Sequence, residues 1–172
     1  IYADSIGVVG EKRLIFFIIV QVSAGLGALG FGFLQDSLGS KRSIVGSLVL
    51  WFAVCVGAYF TTSALAFYVV GNLAGLAMGA SQSGGRALVG TFSPESRSAE
   101  FFGFWGLAWK LSSGIGPLVY GLVAAQLGDR WAILVTGLFF ACGIVGMFRI
   151  DEAAGRREAI PDADDVSRAG TE

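Results

Sequence analysis

The sequence has no histidine and only two cysteines, Cys55 and Cys142, which lie in different apolar segments and are expected to be buried thiols. A zinc site, a haem site and a Ser-His-Asp triad are therefore excluded, and we expect no metal and no cofactor. Paired catalytic carboxylates are also lacking, which leaves an intramembrane enzyme as a weak alternative. The basic residues form no tract and the net charge is −1, so nucleic acid is not an expected partner.

Charged residues are scarce throughout the chain. They make up 15% of 172 residues, whereas 54% are hydrophobic and the mean hydropathy is +0.69. No charged residue occurs between Ser43 and Gly85, a stretch long enough for two membrane spans of about 20 residues each. The pattern predicts an all-α, polytopic transmembrane helix bundle in a lipid bilayer. We expect five spans, at about 14–34, 43–60, 65–90, 101–127 and 131–148.

The two ends of the chain differ from this apolar centre. The chain begins with isoleucine rather than methionine, so we expect an N-terminal part to be missing. Residues 1–13 are predicted to be the end of a preceding helix and an outer loop. Residues 150–172 are charged and lack apolar periodicity, which predicts a disordered tail.

Basic residues orient the spans, because the side richer in lysine and arginine normally faces the cytoplasm. One side would carry Lys41, Arg42, Arg97, Arg149, Arg156 and Arg157, and the other Lys12, Arg13 and Arg130. We therefore expect the loop at 35–42 and the tail to be cytoplasmic.

Lys110 is the single charge inside the fourth predicted span. With the hydrocarbon layer beginning near Phe101, it would lie roughly 14 Å deep, near the middle of a layer about 30 Å thick. A charge at that depth normally faces protein or water and has a function. It shares a small-residue face, which is expected to pack against other helices, with Gly103, Gly106, Ser113, Gly114 and Pro117.

A polar stripe runs along the third predicted span. Its members recur every three or four residues: Tyr68, Asn72, Gly75, Gly79, Gln82 and Arg86. Gly71, Gly75 and Gly79 have the spacing that lets another helix approach closely. Asn72, Gln82 and Gln21 of the first span are candidate solute contacts, but such amides also bond helix to helix. Arg86 lies close enough to a helix end to reach lipid headgroups, so that alternative stays open. Most aromatic residues are expected to face lipid.

The loop between the first two spans contains the most specific motif. It reads G-x-L-x-D-x-x-G-x-K, with Gly32, Asp36, Gly39 and Lys41 at the fixed positions, followed by Arg42. This pattern resembles the signature loop of the major facilitator superfamily. A carboxylate at a helix end can pair with a cation or a helix N-terminus, so we expect these residues to act as a gate.

Three further segments resemble the vacuole-effluxer-like branch of that superfamily, which includes an autophagy-related amino-acid exporter. They are 82–86, then 100–103, and 110–113 with Gly116 and Pro117. The resemblance implies that the five spans are helices eight to twelve of a twelve-helix secondary transporter that works by alternating access.

For a transporter of this kind, the polar and charged residues described above predict a set of partners and site residues. The partners would be a small anionic or zwitterionic solute, such as an amino acid, a coupling proton or cation, and the missing N-terminal half, in a bacterial inner (plasma) membrane. The solute or ion contacts would be Lys110, Ser113, Gln82, Arg86, Asn72 and Gln21. The alternative is a non-transporting membrane subunit or scaffold that acts through its glycine-rich faces and its tail.

Overall fold

The computed structural model describes residues 10–159, and these residues form α-helices and one 3-10 turn with no β-strand among them. The helices are α1 Glu11–Leu38, α2 Ser40–Phe60, α3 Ala64–Phe92, α4 Ser98–Leu127, α5 Asp129–Phe148 and α6 Glu152–Ala159. The 3-10 turn, Glu95–Arg97, precedes α4. The predicted all-α architecture is confirmed.

Four segments of these helices are long and apolar enough to cross a membrane: Arg13–Leu38, Ser40–Phe60, Ala64–Phe92 and Asp129–Phe148. The prediction of a polytopic transmembrane bundle is therefore confirmed. Helix α4 is outside this group although its 30 residues give it a length of about 45 Å. Its middle is more polar, because it contains Lys110, Ser112 and Ser113.

Single glycines connect two of the helix pairs. Gly39, between α1 and α2, has φ 87°, and Gly128, between α4 and α5, has φ 91°. Residues with a Cβ disfavour this left-handed region. Glycine can adopt it, so one glycine is enough to end the first helix and reverse the direction of the chain. At each junction the glycine N–H donates to the carbonyl four residues earlier, Gln35 O at 2.8 Å and Ala124 O at 3.0 Å.

The chain direction alternates, so the bundle has two ends. The Gly39 end contains Gly39, the C-terminus of α3 at Phe92, and α6. The opposite end, which we call the Thr61 end, contains Thr61 and Gly128. There the Tyr59 and Trp131 rings pack edge to face with centroids 6.5 Å apart, which suits aromatic residues at a membrane interface.

Helix α2 packs between α3 and α5 and forms the centre of the bundle. The Trp51 and Phe140 rings stack at 5.1 Å with an interplanar angle of 3°. The Trp51 indole N–H donates to Ser81 Oγ at 3.4 Å. Cys55 is buried, as expected, against Gly137 of α5. Cys142 is exposed, contrary to expectation, because it lies outside the α2–α5 contact.

Large apolar side chains are mostly on the outside of this bundle. Phe33 is 77% exposed, Leu65 75% and Phe148 70%. In water such an apolar surface would cause aggregation. In the hydrocarbon layer of a membrane it is favourable, and the helices satisfy the backbone hydrogen bonds internally. The exposed surface therefore fits an integral membrane protein.

The structure changes three predicted boundaries. Helix α1 begins at Glu11, so 11–13 are helical rather than part of a loop. The loop predicted at 35–42 is reduced to Gly39, because one left-handed glycine is enough to reverse the chain. The predicted disorder of the tail does not hold for Glu152–Ala159, which form α6. The remaining predicted end segments, 1–9 and 160–172, lie outside the described residues.

Candidate functional site

Helices α1 and α3 run side by side in the same direction and are in close contact. Phe16 meets Tyr68, and further along the pair Gly32 lies beside Ser83. A Cβ at Gly75 would lie 2.5 Å from the Val20 carbonyl oxygen. The interface is therefore a backbone-to-backbone contact that larger residues would prevent.

The other two glycines of the stripe lie in the same interface. A Cβ at Gly79 would overlap the backbone of α1 at Ala24, and one at Gly71 would overlap the Phe16 ring. Gly27 of α1 has the reciprocal position against Leu76. The structure thus places all three predicted packing glycines of α3 against α1.

A groove of about 690 Å³ opens beside this close contact. Its polar lining residues are Gln21, Gln82, Ser83 and Arg86. Its apolar lining residues include Ala24, Ala28 and Met78. Three of the six predicted contact residues, Gln21, Gln82 and Arg86, are therefore brought to one groove.

The groove continues toward the Gly39 end into a smaller depression of about 310 Å³. Ala28, Ser83 and Ala87 line both cavities, and Gly32 and Asp36 line the second one. A path lined by small residues thus leads from the Gln21 level to the predicted gate.

Arg86 is held from the side by α4. Its guanidinium carbon lies 5.7 Å from the centroid of the Trp105 ring, within the range of a cation–π contact. Gly85 also lies beside that ring, and a Cβ there would be in van der Waals contact with Trp105 Nε1 at 3.5 Å. Within residues 10–159 no carboxylate pairs with Arg86, so its charge is available to an anion.

Asn72 does not line the groove. Its Oδ1 accepts a hydrogen bond from Ser23 Oγ at 2.6 Å, and its Nδ2 donates to the Tyr68 carbonyl at 2.8 Å. The amide therefore links α3 to α1, which is the helix-bonding alternative. We remove Asn72 from the solute contacts, because its polar atoms are already engaged.

Lys110 and Ser113 lie apart from the groove, on an exposed part of α4. Ser113 Oγ donates to the Lys110 carbonyl at 2.7 Å. The Lys110 ammonium has no hydrogen-bond or ion-pair partner in the described part of the chain. The structure therefore does not bring Lys110 into contact with Arg86.

The small-residue face of α4 is open. A Cβ at Gly103, Gly106 or Gly114 would have no atom of another residue within 4 Å, and Pro117 is exposed. No helix within residues 10–159 packs on this face, so the predicted packing against other helices stays a prediction. On another side of α4, a cavity of about 490 Å³ separates it from α5, with Ser112 and Gly116 on one wall and Thr136 and Phe140 on the other.

The predicted gate residues have two different surroundings. Asp36 is exposed in the last turn of α1 and forms no ion pair with any residue between 10 and 159. Arg42 is also exposed. Lys41 instead contacts the chain beyond α5, where its ammonium donates to the Ile150 carbonyl. A pairing of Asp36 with Lys41 is thus not seen.

Sequence reasoning missed Trp105, Ser83 and Glu152. Trp105 was expected to face lipid, and only its position beside Arg86 distinguishes it from other tryptophans of the chain. Ser83 lies one residue after Gln82 and four before Ala87, so the stripe could have been drawn wider to include it. No local signal in the sequence singles out Glu152.

A family model described as Major Facilitator Superfamily matches residues 6–168. The uncharacterized MFS-type transporter YxiO of Bacillus subtilis is 28% identical over 145 residues, covering 84% of this chain and 34% of that protein. The multi-drug resistance efflux pump PmrA homolog of Lactococcus lactis is 30% identical over 129 residues, covering 75% of this chain and 32% of that protein. The autophagy-related protein 22-1 of Neosartorya fischeri is 23% identical over 171 residues, covering 90% of this chain and 28% of that protein.

The chain spans about a third of the length of these curated relatives. No solved structure matches it.

Proposed function

The chain belongs to the major facilitator superfamily, and from that premise we propose that it is the C-terminal part of a secondary active transporter that moves a small solute by alternating access. The observation that supports the proposal best is the groove between α1 and α3. It places two amides and an arginine inside segments that are apolar enough to cross a membrane. Polar groups at such positions are costly and normally belong to a solute or ion pathway.

Arg86 determines the class of solute in this proposal. The groove lining contains one guanidinium, two amides and a hydroxyl, and it contains no carboxylate. A guanidinium binds carboxylates and phosphates through paired hydrogen bonds, and amides can bind neutral polar groups beside them. An anionic or zwitterionic solute fits this set, with its anionic group at Arg86. Efflux is the direction we propose, because one similar protein is named an efflux pump.

The open face of α4 supports the proposal that the transporter has a second, N-terminal half. Lys110 with the small residues around it is exposed to the outside of the described bundle. A lysine near the middle of a helix of membrane-spanning length needs protein or water beside it. In the proposal α4 crosses the membrane as a fifth span, and the Lys110 face borders a cavity shared with the N-terminal half.

The orientation is part of the same proposal. Within the described residues the Gly39 end has six basic residues, Lys41, Arg42, Arg97, Arg149, Arg156 and Arg157, and the Thr61 end has three, Lys12 and Arg13 at the start of α1 and Arg130 near Gly128. The positive-inside rule therefore supports a cytoplasmic Gly39 end. Asp36, exposed at the mouth of the groove on that side, is proposed as a gate residue.

The test is solute flux in proteoliposomes that contain the full-length transporter. A panel of anionic, zwitterionic and cationic solutes of similar size is presented to wild type and to Arg86→Gln. Arg130→Gln, at the opposite end of the bundle, is the matched control. The proposal expects flux of an anionic or zwitterionic solute that falls at least tenfold in Arg86→Gln alone, since a charge-assisted hydrogen bond contributes about 1.5–3 kcal/mol. Equal flux in the two variants would contradict the assignment of the groove.

A further inference from the structure

The segment after α5 folds back onto the Gly39 end and contacts two other helices. The Lys41 ammonium donates to the Ile150 carbonyl, and Glu152 Oε2 accepts from the Lys41 backbone N–H at 3.3 Å. The Glu152 carboxylate also covers Gly39, whose added Cβ would lie 3.7 Å from it. These contacts join residues 109 and 111 positions apart in the chain.

Helix α2 begins without the usual N-terminal cap. Gly39 precedes it and has no side chain that could accept a bond from the first backbone N–H groups. The first turn contains Lys41 and Arg42 and no acidic residue, although the start of a helix favours negative charge. The Glu152 carboxylate supplies both missing features, an acceptor and a negative charge.

Helix α6 is built to reach this position. Asp151 Oδ1 accepts from the backbone N–H groups of Ala153 at 2.9 Å and Ala154 at 3.1 Å, which caps the helix. These two hydrogen bonds lower the pKa of Asp151, so it is charged near neutral pH.

One turn further along, Gly155 lies against the ring of Phe92 at the end of α3. A Cβ at Gly155 would be 2.7 Å from Phe92 Cε1, so a larger residue there would have to displace the ring.

We propose that α6 is a clamp that ties the end of the α4–α5 hairpin to the start of α2 and the end of α3, with Glu152 as the cap that α2 lacks. While the clamp is docked, the N-terminus of α2 is closed to any other anion and the Gly39 end keeps its arrangement. When it undocks, the first turn of α2 loses its acceptor and frays. The proposal does not depend on solute transport.

Hydrogen–deuterium exchange of the intact protein in lipid nanodiscs tests the capping contact. Glu152→Ala removes the acceptor, and amide exchange in the first turn of α2 is expected to rise about fivefold, in keeping with the loss of one helix cap. Glu158→Ala is the matched control, because this glutamate is exposed on the same helix and, within residues 10–159, forms no hydrogen bond or ion pair with α2. Exchange in the middle of α5 should stay unchanged in both variants.

A second variant tests the docking of α6 while leaving the Glu152 carboxylate in place. Gly155→Leu favours the α6 helix itself but fills the space of the Phe92 ring. Spin labels at Ser37→Cys and Ala154→Cys, in a Cys55→Ala and Cys142→Ala background, report the distance between α1 and α6. A single narrow distance in the parent and a broad distribution in both Gly155→Leu and Glu152→Ala would support the clamp. Unchanged distances and unchanged exchange in both variants would overturn it.

Discussion

The guanidinium of Arg86 and the ring of Trp105 form a contact between α3 and α4, 5.7 Å from Cζ to the ring centroid. Trp105 is half-buried at this place, and Arg86 lines the groove. The contact gives α4 a direct influence on the one charged group of the groove. Movement of α4 would therefore change the position or the freedom of Arg86.

Trp105→Leu should weaken solute binding while leaving the fold intact. Loss of a cation–π contact of about 0.5–1 kcal/mol corresponds to a roughly two- to fivefold higher apparent KM. Trp105→Phe should retain part of the effect, because a smaller ring still faces the guanidinium. Trp109→Leu is the control, since Trp109 is 57% exposed and the cation–π contact of Arg86 is with Trp105. An equal shift in both leucine variants would show a general effect of the helix instead.

Gly79→Ala should destabilise the bundle. The new methyl group would overlap the backbone of Ala24, and overpacking of this kind costs about 1–3 kcal/mol. Gly30→Ala is the matched control, because a Cβ there has open space and alanine favours the helix. Reaction of the buried Cys55 thiol with a fluorogenic reagent during heating, in a Cys142→Ala background, reports unfolding. A Gly79→Ala midpoint at or above that of Gly30→Ala would refute the close α1–α3 contact.

Asn72→Ala and Gln82→Ala should separate structure from binding. Removal of the Asn72 amide breaks the bond to Ser23 and should lower stability by about 0.6 kcal/mol, a typical value for hydrogen bonds between membrane helices. Its effect on solute affinity should be small. Gln82→Ala removes a groove residue that bonds to no described residue, so affinity should fall and stability should not. Stability and solute affinity are measured on the same purified samples. Lost affinity in Asn72→Ala together with lost stability in Gln82→Ala would refute these two roles.

Lys110→Ala should insert and fold like wild type and lose transport. The side chain has no partner in the described bundle, so its removal breaks no contact there. Flux should fall about tenfold or more if the ammonium contacts solute or the other half. Lys110→Arg should restore only part of it, because a planar fork does not replace a compact ammonium. Monodispersity after extraction and flux are measured together; normal flux in Lys110→Ala would end the functional assignment.

Hydropathy located the helices well because the length of an apolar run depends only on local composition. Glycine spacing likewise predicted a close helix contact on α3, because Gly71, Gly75 and Gly79 lie on one helix face, but it did not identify α1 as the partner. The position of Lys110 was harder. A wheel shows which residues share a face, but not which neighbour the face meets, and here the small-residue face of α4 meets none of the described helices.

Two other features could not be predicted from local pattern. Trp105 and Glu152 act on residues 19 and 111 positions away, respectively, so their importance depends on how the helices pack. The sequence that forms α6, which begins at Glu152, has the composition of a polar tail. Its helix is stabilised by the Asp151 cap and by the contact of Gly155 with the Phe92 ring. Tertiary contacts of this kind override composition.

The single-residue junctions at Gly39 and Gly128 also determine where this chain accepts added sequence. A helix pair closed by one left-handed glycine has no spare length, so an inserted epitope tag or reporter domain would have to unwind one of the two helices. The connections at 61–63 and 93–97 are longer and leave several residues outside the α-helices. Tags for imaging, affinity capture or protease mapping therefore belong in those two connections, one at each end of the bundle.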